Sequence, residues 1–482
     1  MIATRISRTL CVAALALSGA AQAFDTKPWL EDLAQARQAF GATYANFEWA
    51  VFEREADLSA LFDETKTRIE AALNEADAKA AFYRLARRLG DGHVVFDWPA
   101  AQAVGSESPA ADRCASFGYR ADILGTPLAA EAPGYTALET PQSAMFPAGL
   151  IVVDGRTVGV VKIGLFSPSG FPELCAAGLK ALNIAPEAEC DDACRFRLDD
   201  WASAEMTVAL AAQLRAVKAS GATALVVDLA DNGGGSEWAE AAARMVTAKR
   251  LESERMGFVR GAHWVTKFAS HEADIRSYAA EASGPADKAF LTKLADELAA
   301  KGKVAATPCD SAPFWKGAKP ECAWLGEGFY GSGFVASADP AALKDKPWAS
   351  YVFSPMKYPY EEGVWDGPLI VLVDGGTASA SEEFTAVLQD NGAAFVMGSP
   401  TAGAGCGHTD GGTPTVLKNS GATLEVPDCV RFRVDGSNEV MGIAPDRLVG
   451  FRTTDGPKRL GQRFMEKLPE ALAAADALFA RR

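Results

Sequence analysis

The stretch Leu369-Ile370-Val371-Leu372-Val373-Asp374-Gly375-Gly376-Thr377-Ala378-Ser379-Ala380-Ser381-Glu382 decides the fold. Five consecutive aliphatic residues without polar alternation are what a strand buried on both faces requires. Asp374-Gly375-Gly376 then ends the strand, and a helix is predicted over 381–388. A serine at such a junction sits on a sharp turn, its hydroxyl presented to the crevice above the sheet. The start of the helix offers unpaired N–H groups and a positive dipole end. Ser379 and Ser381 also read as N-caps, a position serine favours, and on this segment alone capping is the simpler reading.

The pattern extends outward from there. Residues 223–229 form a second buried strand, 231–236 a glycine-rich turn and 237–247 a helix. A third strand is expected over 393–397, and a helix over 203–219 with Ser203 as a candidate N-cap. Residues 150–154 and 158–166 read as a hairpin around Asp154-Gly155. Alternating strands and helices of this kind build an α/β core. Upstream, residues 28–90 are helical. Leu58, Leu61, Phe62, Thr65, Ile69 and Leu73 share one face, and Phe82, Leu85, Ala86 and Leu89 another. After Gly90 the residues His93-Val94-Val95-Phe96 read as a strand.

A long insertion, 250–365, interrupts the core and includes a helix near 288–300. Its aromatics Trp264, Phe268, Trp315, Trp324, Phe329 and Tyr330 suit either a lid or substrate wall, or a disulfide-stapled structural subdomain. The expected division is a leader at 1–23, a helical domain at 24–90, a core at 91–249 and 366–455, the insertion at 250–365, and a C-terminal helix at 456–482.

Composition narrows the function. The chain has 482 residues, 49% hydrophobic and 9% aromatic, which is ample for a large core, and a net charge of −15 that disfavours nucleic acid. Arg5 and Arg8, an apolar run at 10–17, and Ala21-Gln22-Ala23 read as a cleavable signal peptide with Phe24 as the mature start. Removing it takes away two arginines and no acid, so the mature charge is −17. No other run approaches the roughly 20 apolar residues of a spanning helix. Eight cysteines then remain, an even number that suits disulfides in a periplasmic or secreted protein, with about a hundred possible pairings. Cys309–Cys322 and Cys406–Cys429 are plausible local loops. Cys190 and Cys194 either pair with each other or split toward Cys175 and Cys114. No histidine lies near Cys190 and Cys194, so a zinc cluster is disfavoured there.

Three further segments bear chemistry. Asp228-Leu229-Ala230-Asp231-Asn232-Gly233-Gly234-Gly235 lets backbone amides approach a ligand, yet it lacks the Lys-Ser/Thr ending of a phosphate loop. His93, in Leu89-Gly90-Asp91-Gly92-His93, is one of four histidines and a candidate base. Glu439, in Val434-Asp435-Gly436-Ser437-Asn438-Glu439, places a carboxylate in a loop. Each has a bland reading as turn or structural residue.

Taken together, these segments resemble the serine peptidase family that holds the tail-specific (C-terminal processing) peptidases and the tricorn core protease. The resemblance implies an α/β, crotonase/Clp-like core with an N-terminal helical domain and a long insertion. It implies Ser379 as nucleophile, with Gly234 and Ala380 amides as oxyanion donors. Ala230 stands where that family usually has Arg. The tail-specific branch uses a lysine in Gly-Lys-Gly, but here the stretch is Gly403-Ala404-Gly405, which removes a Ser/Lys dyad. The tricorn-like branch uses a His and a Glu, and His93 and Glu439 stand at matching places, although Gly92 replaces the Ser before the His. His408 is the rival base, and Asp390 matches an acid of the tail-specific branch or merely closes a helix. The implied function is an exported serine peptidase acting on peptide or protein substrates, with no cofactor and no metal. The alternatives are an inactive peptide-binding protein of the same fold and, less compatible with export, a crotonase-type acyl-CoA enzyme.

Overall fold

The structure, a computed structural model, describes residues 24–99, 113–185, 188–407 and 415–481. The leader and His408 lie outside the described residues. Three helices open the chain: α1 (Lys27–Thr43), α2 (Leu58–Glu70) and α3 (Glu75–Leu89). Asp57 and Asn74 cap α2 and α3 with their side chains, and Gly90 ends α3 in the left-handed region at φ 71°. Leu73 does not join the apolar face of α2. It lies past the helix end and is exposed, because Asn74 must leave helical geometry to cap α3.

The His93 turn leads into β1 (Val95–Asp97). Then come α4 (Arg113–Ser116), β2 (Thr136–Ala137), β3 (Ala148–Val153), β4 (Arg156–Lys162), α5 (Pro172–Ala181), α6 (Asp192–Ala219), β5 (Ala224–Asp228) and α7 (Trp238–Met245). Helix α6 starts well before Ser203, which is buried inside it. Its cap is Asp191, whose carboxylate accepts from the Cys194 N–H at 2.9 Å. The insertion supplies β6 (Arg255–Val259), α8 (Ala262–Glu281), α9 (Pro285–Ala305), β7 (Leu325–Tyr330), α10 (Pro340–Leu343) and α11 (Ala349–Val352). The chain closes with β8 (Leu369–Val373), α12 (Ala380–Asp390), β9 (Phe395–Gly398), β10 (Thr415–Val416), β11 (Thr423–Glu425), β12 (Cys429–Phe432), β13 (Arg447–Leu448) and α13 (Pro457–Phe479).

Seven strands form the central sheet in the order β13-β9-β8-β5-β4-β3-β2. The run from β13 to β4 is parallel, and the β4–β3 hairpin and β2 are antiparallel. Every residue of β5 and β8 is buried, since α6, α7 and α12 cover one face and α13 the other. Two small antiparallel sheets flank it: β12-β6-β7 and β1-β11-β10. Strand β6 of the insertion therefore pairs with β12 of the core, and β1 after His93 pairs with β11 outside the central sheet.

The insertion's aromatics do structural packing. Trp264 and Phe268 are buried between α8, α9 and β6. Trp324 and Trp315 pack edge-on against Phe47 of the helical domain. Four disulfides form: Cys114–Cys175, Cys190–Cys194, Cys309–Cys322 and Cys406–Cys429. They suit an oxidising compartment. Among the described residues no helix is long and apolar enough to cross a membrane.

Candidate active site

Strands β5 and β8 are parallel neighbours with Asp228 opposite Leu372, so the turns leaving their carboxyl ends meet. The Asp231 N–H donates to Asp374 Oδ1 (2.8 Å), the Thr377 hydroxyl to the Leu229 carbonyl (2.9 Å), and the Ala378 N–H to the Asn232 carbonyl (2.9 Å). Buried Lys162 lies 3.7 Å from Asp228 and steadies the base of the glycine turn. Of the two candidate serines, Ser381 is buried and donates its hydroxyl to the Asn232 carbonyl. Ser379 is half-buried, at the very start of α12, with φ 55° and ψ −119°. A non-glycine residue there is strained and persists only where its surroundings over-determine it.

Glu382 supplies that constraint. Its buried carboxylate accepts from the Ser379 N–H (2.9 Å), the Thr401 hydroxyl (2.5 Å), the Gly403 N–H (2.8 Å) and the Ala404 N–H (2.9 Å). Burial and the Glu439 charge push its pKa up, and these donors oppose the shift. One side chain thus ties the Ser379 turn to the 401–404 loop.

Gly234 abuts Ser379. A Cβ added there would lie 2.7 Å from Ser379 Cβ and 3.0 Å from Ala380 N, and its φ of 111° favours glycine. Its N–H, expected to face an oxyanion, is engaged inside the turn instead, donating to Asn232 Oδ1 at 2.9 Å. The Asn232 side chain folds back to hold the glycine turn in shape. Among the described residues the N–H groups of Ala380 and Gly235 donate to no protein acceptor.

His93 is half-buried on the turn after α3. Its N–H donates to Asp91 Oδ1 (3.1 Å), and Asp91 Oδ2 accepts from Asn46 Nδ2 (2.8 Å). Burial pushes the Asp91 carboxyl up to about 6. The imidazole Nδ1 lies 2.8 Å from the Ala404 carbonyl. A carbonyl only accepts, so Nδ1 carries a proton, and in the neutral ring the lone pair falls on Nε2. Ala404 therefore contributes its carbonyl to the His93 imidazole. Gly92 and Ala404 are small together: a Cβ on Gly92 would stand 3.2 Å from Ala404 Cβ.

Glu439 is buried on a short 3₁₀ turn, and the structure places its carboxylate on Arg431. Nε donates to Oε2 at 2.8 Å and Nη2 to Oε1 at 2.5 Å. Arg431, on β12, points into the same buried space and engages both carboxylate oxygens. Burial opposes ionisation of Glu439, but Arg431 overrides it and holds the carboxyl below its ordinary value. Glu254, facing it, is pushed well above that range by burial and by the Glu439 charge. Asp390 pairs with Arg433 (2.6 and 2.9 Å) at the end of α12, a structural role.

The residues that escape sequence reasoning are Glu382, Asp91, Asn46 and Arg431. Glu382 and Asp91 sit inside the quoted motifs, where the three-residue step from Ser379 to Glu382 has the spacing of a capping box. Asn46 and Arg431 carry no local signal. Among the described residues no group of three His, Cys, Asp or Glu side chains is arranged to hold a metal ion.

The signature of peptidase family S41 matches residues 193–449, more than half of the chain. Solved structures share the fold. Mature CPAF is 14% identical over 95% of this chain and 98% of its own, with a TM-score of 0.57. Mature CPAF complexed with lactacystin is 13% identical over 95% of this chain and 99% of its own, with a TM-score of 0.55.

Proposed function

The chain belongs to peptidase family S41, and from that membership we propose that it is an exported serine peptidase with Ser379 as nucleophile and His93 as general base. The observation that carries the reading is Ser379 itself, half-exposed on a strained strand-to-helix turn beside the unengaged Ala380 amide. Ser379 Oγ attacks the scissile carbonyl and passes its proton to His93 Nε2, which returns it to the leaving amine. The Ala404 carbonyl keeps the proton on Nδ1, so Nε2 remains the accepting nitrogen.

The Ala380 N–H and the 233–235 turn bind the developing oxyanion. A full negative charge is a stronger acceptor than a neutral amide oxygen. It therefore draws the Gly234 N–H away from Asn232, or takes the Gly235 N–H directly. Losing one such donor costs on the order of a hundredfold or more in rate. The leader at 1–23 and the four disulfides support a periplasmic or secreted location. Substrates are peptide or protein segments, and the scheme uses no cofactor.

A fluorophosphonate probe on the purified mature chain tests the reading. Ser379 is expected to label, Ser379→Ala to stay blank, and His93→Ala to label slower by about a thousandfold. A wild-type chain that stays unlabelled overturns the hydrolase and favours the inactive peptide binder.

A further inference from the structure

Arg431 touches both halves of this site. Its side chain is 10% exposed, and Nη2, besides holding Glu439, donates to the Gly405 carbonyl (3.0 Å) and the Ser379 carbonyl (3.4 Å). Nη1 donates to Glu383 Oε2 at 3.1 Å. Gly405 directly follows the residue whose carbonyl holds the imidazole, and Ser379 is the nucleophile itself. We propose that Arg431 is a positioning residue that fixes the spacing between nucleophile and base, and that Glu439 acts through it as its anchor. The inference rests on the hydrolase reading above.

A guanidinium stays charged across the working pH range and cannot serve as a base. Burial works against that charge, yet the Glu439 carboxylate, foremost among its neighbours, overrides this and drives the Arg431 pKa upward. What the side chain offers is a rigid planar fork of donors, which a lysine cannot reproduce at a bidentate site. Here one tine grips Glu439, the shared Nη2 reaches the backbone of both catalytic turns, and the other tine grips α12 through Glu383. Cys429, two residues before Arg431, is bonded to Cys406 beside the same loop, so β12 clamps that loop twice.

The test measures the labelling rate of Ser379, with kcat and KM against pH for one peptide, in wild type, Arg431→Lys, Glu439→Gln and the double variant Arg431→Met/Glu439→Gln. Misplacing reacting groups by about 1 Å can cost a hundredfold, so Arg431→Lys and Glu439→Gln should each lose about that much in kcat, with KM nearly unchanged. The acid limb of kcat/KM should stay in place in Arg431→Lys, because that variant keeps the positive charge at position 431. The double variant should lose no more than the worse single one, as expected of residues acting as a unit.

Arg431→Lys at wild-type rate overturns the proposal, and so do losses that multiply in the double variant. An acid limb displaced to lower pH in Glu439→Gln makes Glu439 a direct partner of His93 and also overturns it. Arg431→Lys keeps the buried charge balance, so it reports even where the double variant folds poorly. A wild-type chain that does not label sinks the hydrolase reading itself, whereas a labelled wild type matched by Arg431→Lys sinks only this inference.

Discussion

The two halves of the site are built on different principles. The nucleophile half, so called for the role proposed for Ser379, rests on adjacent backbone: two parallel strands, β5 and β8, deliver their turns to the same edge, and bonds between 229–232 and 374–378, each with a main-chain group on at least one side, sew them together. The base half, so called for the role proposed for His93, is assembled from side chains and single peptides that are far apart in sequence. His93 is held by Asp91 and by the Ala404 carbonyl, and Arg431 with the Cys406–Cys429 bridge holds the loop that carries Ala404. A sheet edge is over-determined by many cooperative bonds. A loop held by a few polar contacts is not, so the second half should yield to perturbation sooner in geometry and more gently in rate.

The largest effect separates the chemistry from the scaffold. Ser379→Ala should remove activity by about 10⁴-fold or more, because a residual rate comes only from binding and oxyanion stabilisation. Its melting temperature should stay close to wild type in a thermal scan, since the hydroxyl is not needed for the backbone seam. A variant that loses both together would mean that the nucleophile half is not self-supporting.

A pair of glycines compares the halves directly. Gly234→Ala puts a Cβ 2.7 Å from Ser379 Cβ and 2.8 Å from the Ala378 carbonyl, at a φ of 111°. Backbone cannot give way there, and kcat/KM should fall by about a hundredfold, as when an oxyanion donor is lost. Gly407→Ala puts its Cβ 3.3 Å from His93 Cδ2, the edge of a ring that can shift by tenths of an ångström. Its loss should be about tenfold or less. Steady-state kinetics on both decide the matter, and a reversed order breaks the comparison.

What could be read from the sequence follows the same division. The buried runs around Leu225 and Leu369, and the serine between a glycine turn and a helix, are local patterns, and they locate the core strands and Ser379. The start of α6 was misplaced at Ser203 because Asp191 caps it from within a disulfide loop. The aromatics of the insertion suit a lid or wall as well as a structural subdomain, because burial of Trp264 and Trp324 depends on which strands pair across the chain. The Arg431–Glu439 fork was out of reach for the same reason: Glu439 stands in a legible motif, but Arg431 carries no local signal, and the pairing of β12 with β6 fixes where its strand lies. Whether His93 meets a carboxylate or a carbonyl depends on a contact spanning 311 residues.

The disulfides sharpen the comparison further. Cys406–Cys429 closes 23 residues and Cys309–Cys322 closes 13, so loop-closure entropy assigns each about 3 kcal/mol of stability. Only the first braces the base loop. Cys406→Ala/Cys429→Ala should therefore lose activity about tenfold at a temperature where it is still folded, while Cys309→Ala/Cys322→Ala loses stability alone. Equal activity in the two folded variants would show that the base half does not depend on its staple.

The smallest effect concerns the seam between the halves. Glu383 follows Glu382 on α12 and is almost fully buried, facing Arg431 of β12, Glu240 of α7, Glu237 before α7 and Glu439 of the 3₁₀ turn. Burial raises its pKa most, Arg431 pulls it down, the neighbouring carboxylates push it up again, and it settles at about 8. The folded chain thus keeps a proton that the unfolded chain releases near 4.5. Stability from this group is intact below that value, falls as pH rises toward about 8, and is flat above. Glu383→Gln cannot titrate, so urea midpoints measured from acid to alkaline pH should fall less steeply for the variant than for wild type. A difference between the two that is constant with pH would mean that Glu383 titrates alike in the folded and unfolded chains and is ionised at neutral pH. Arg431 would then be neutralising two carboxylates at once, and the charge balance that lets it reach the Ser379 and Gly405 carbonyls would have to be redrawn.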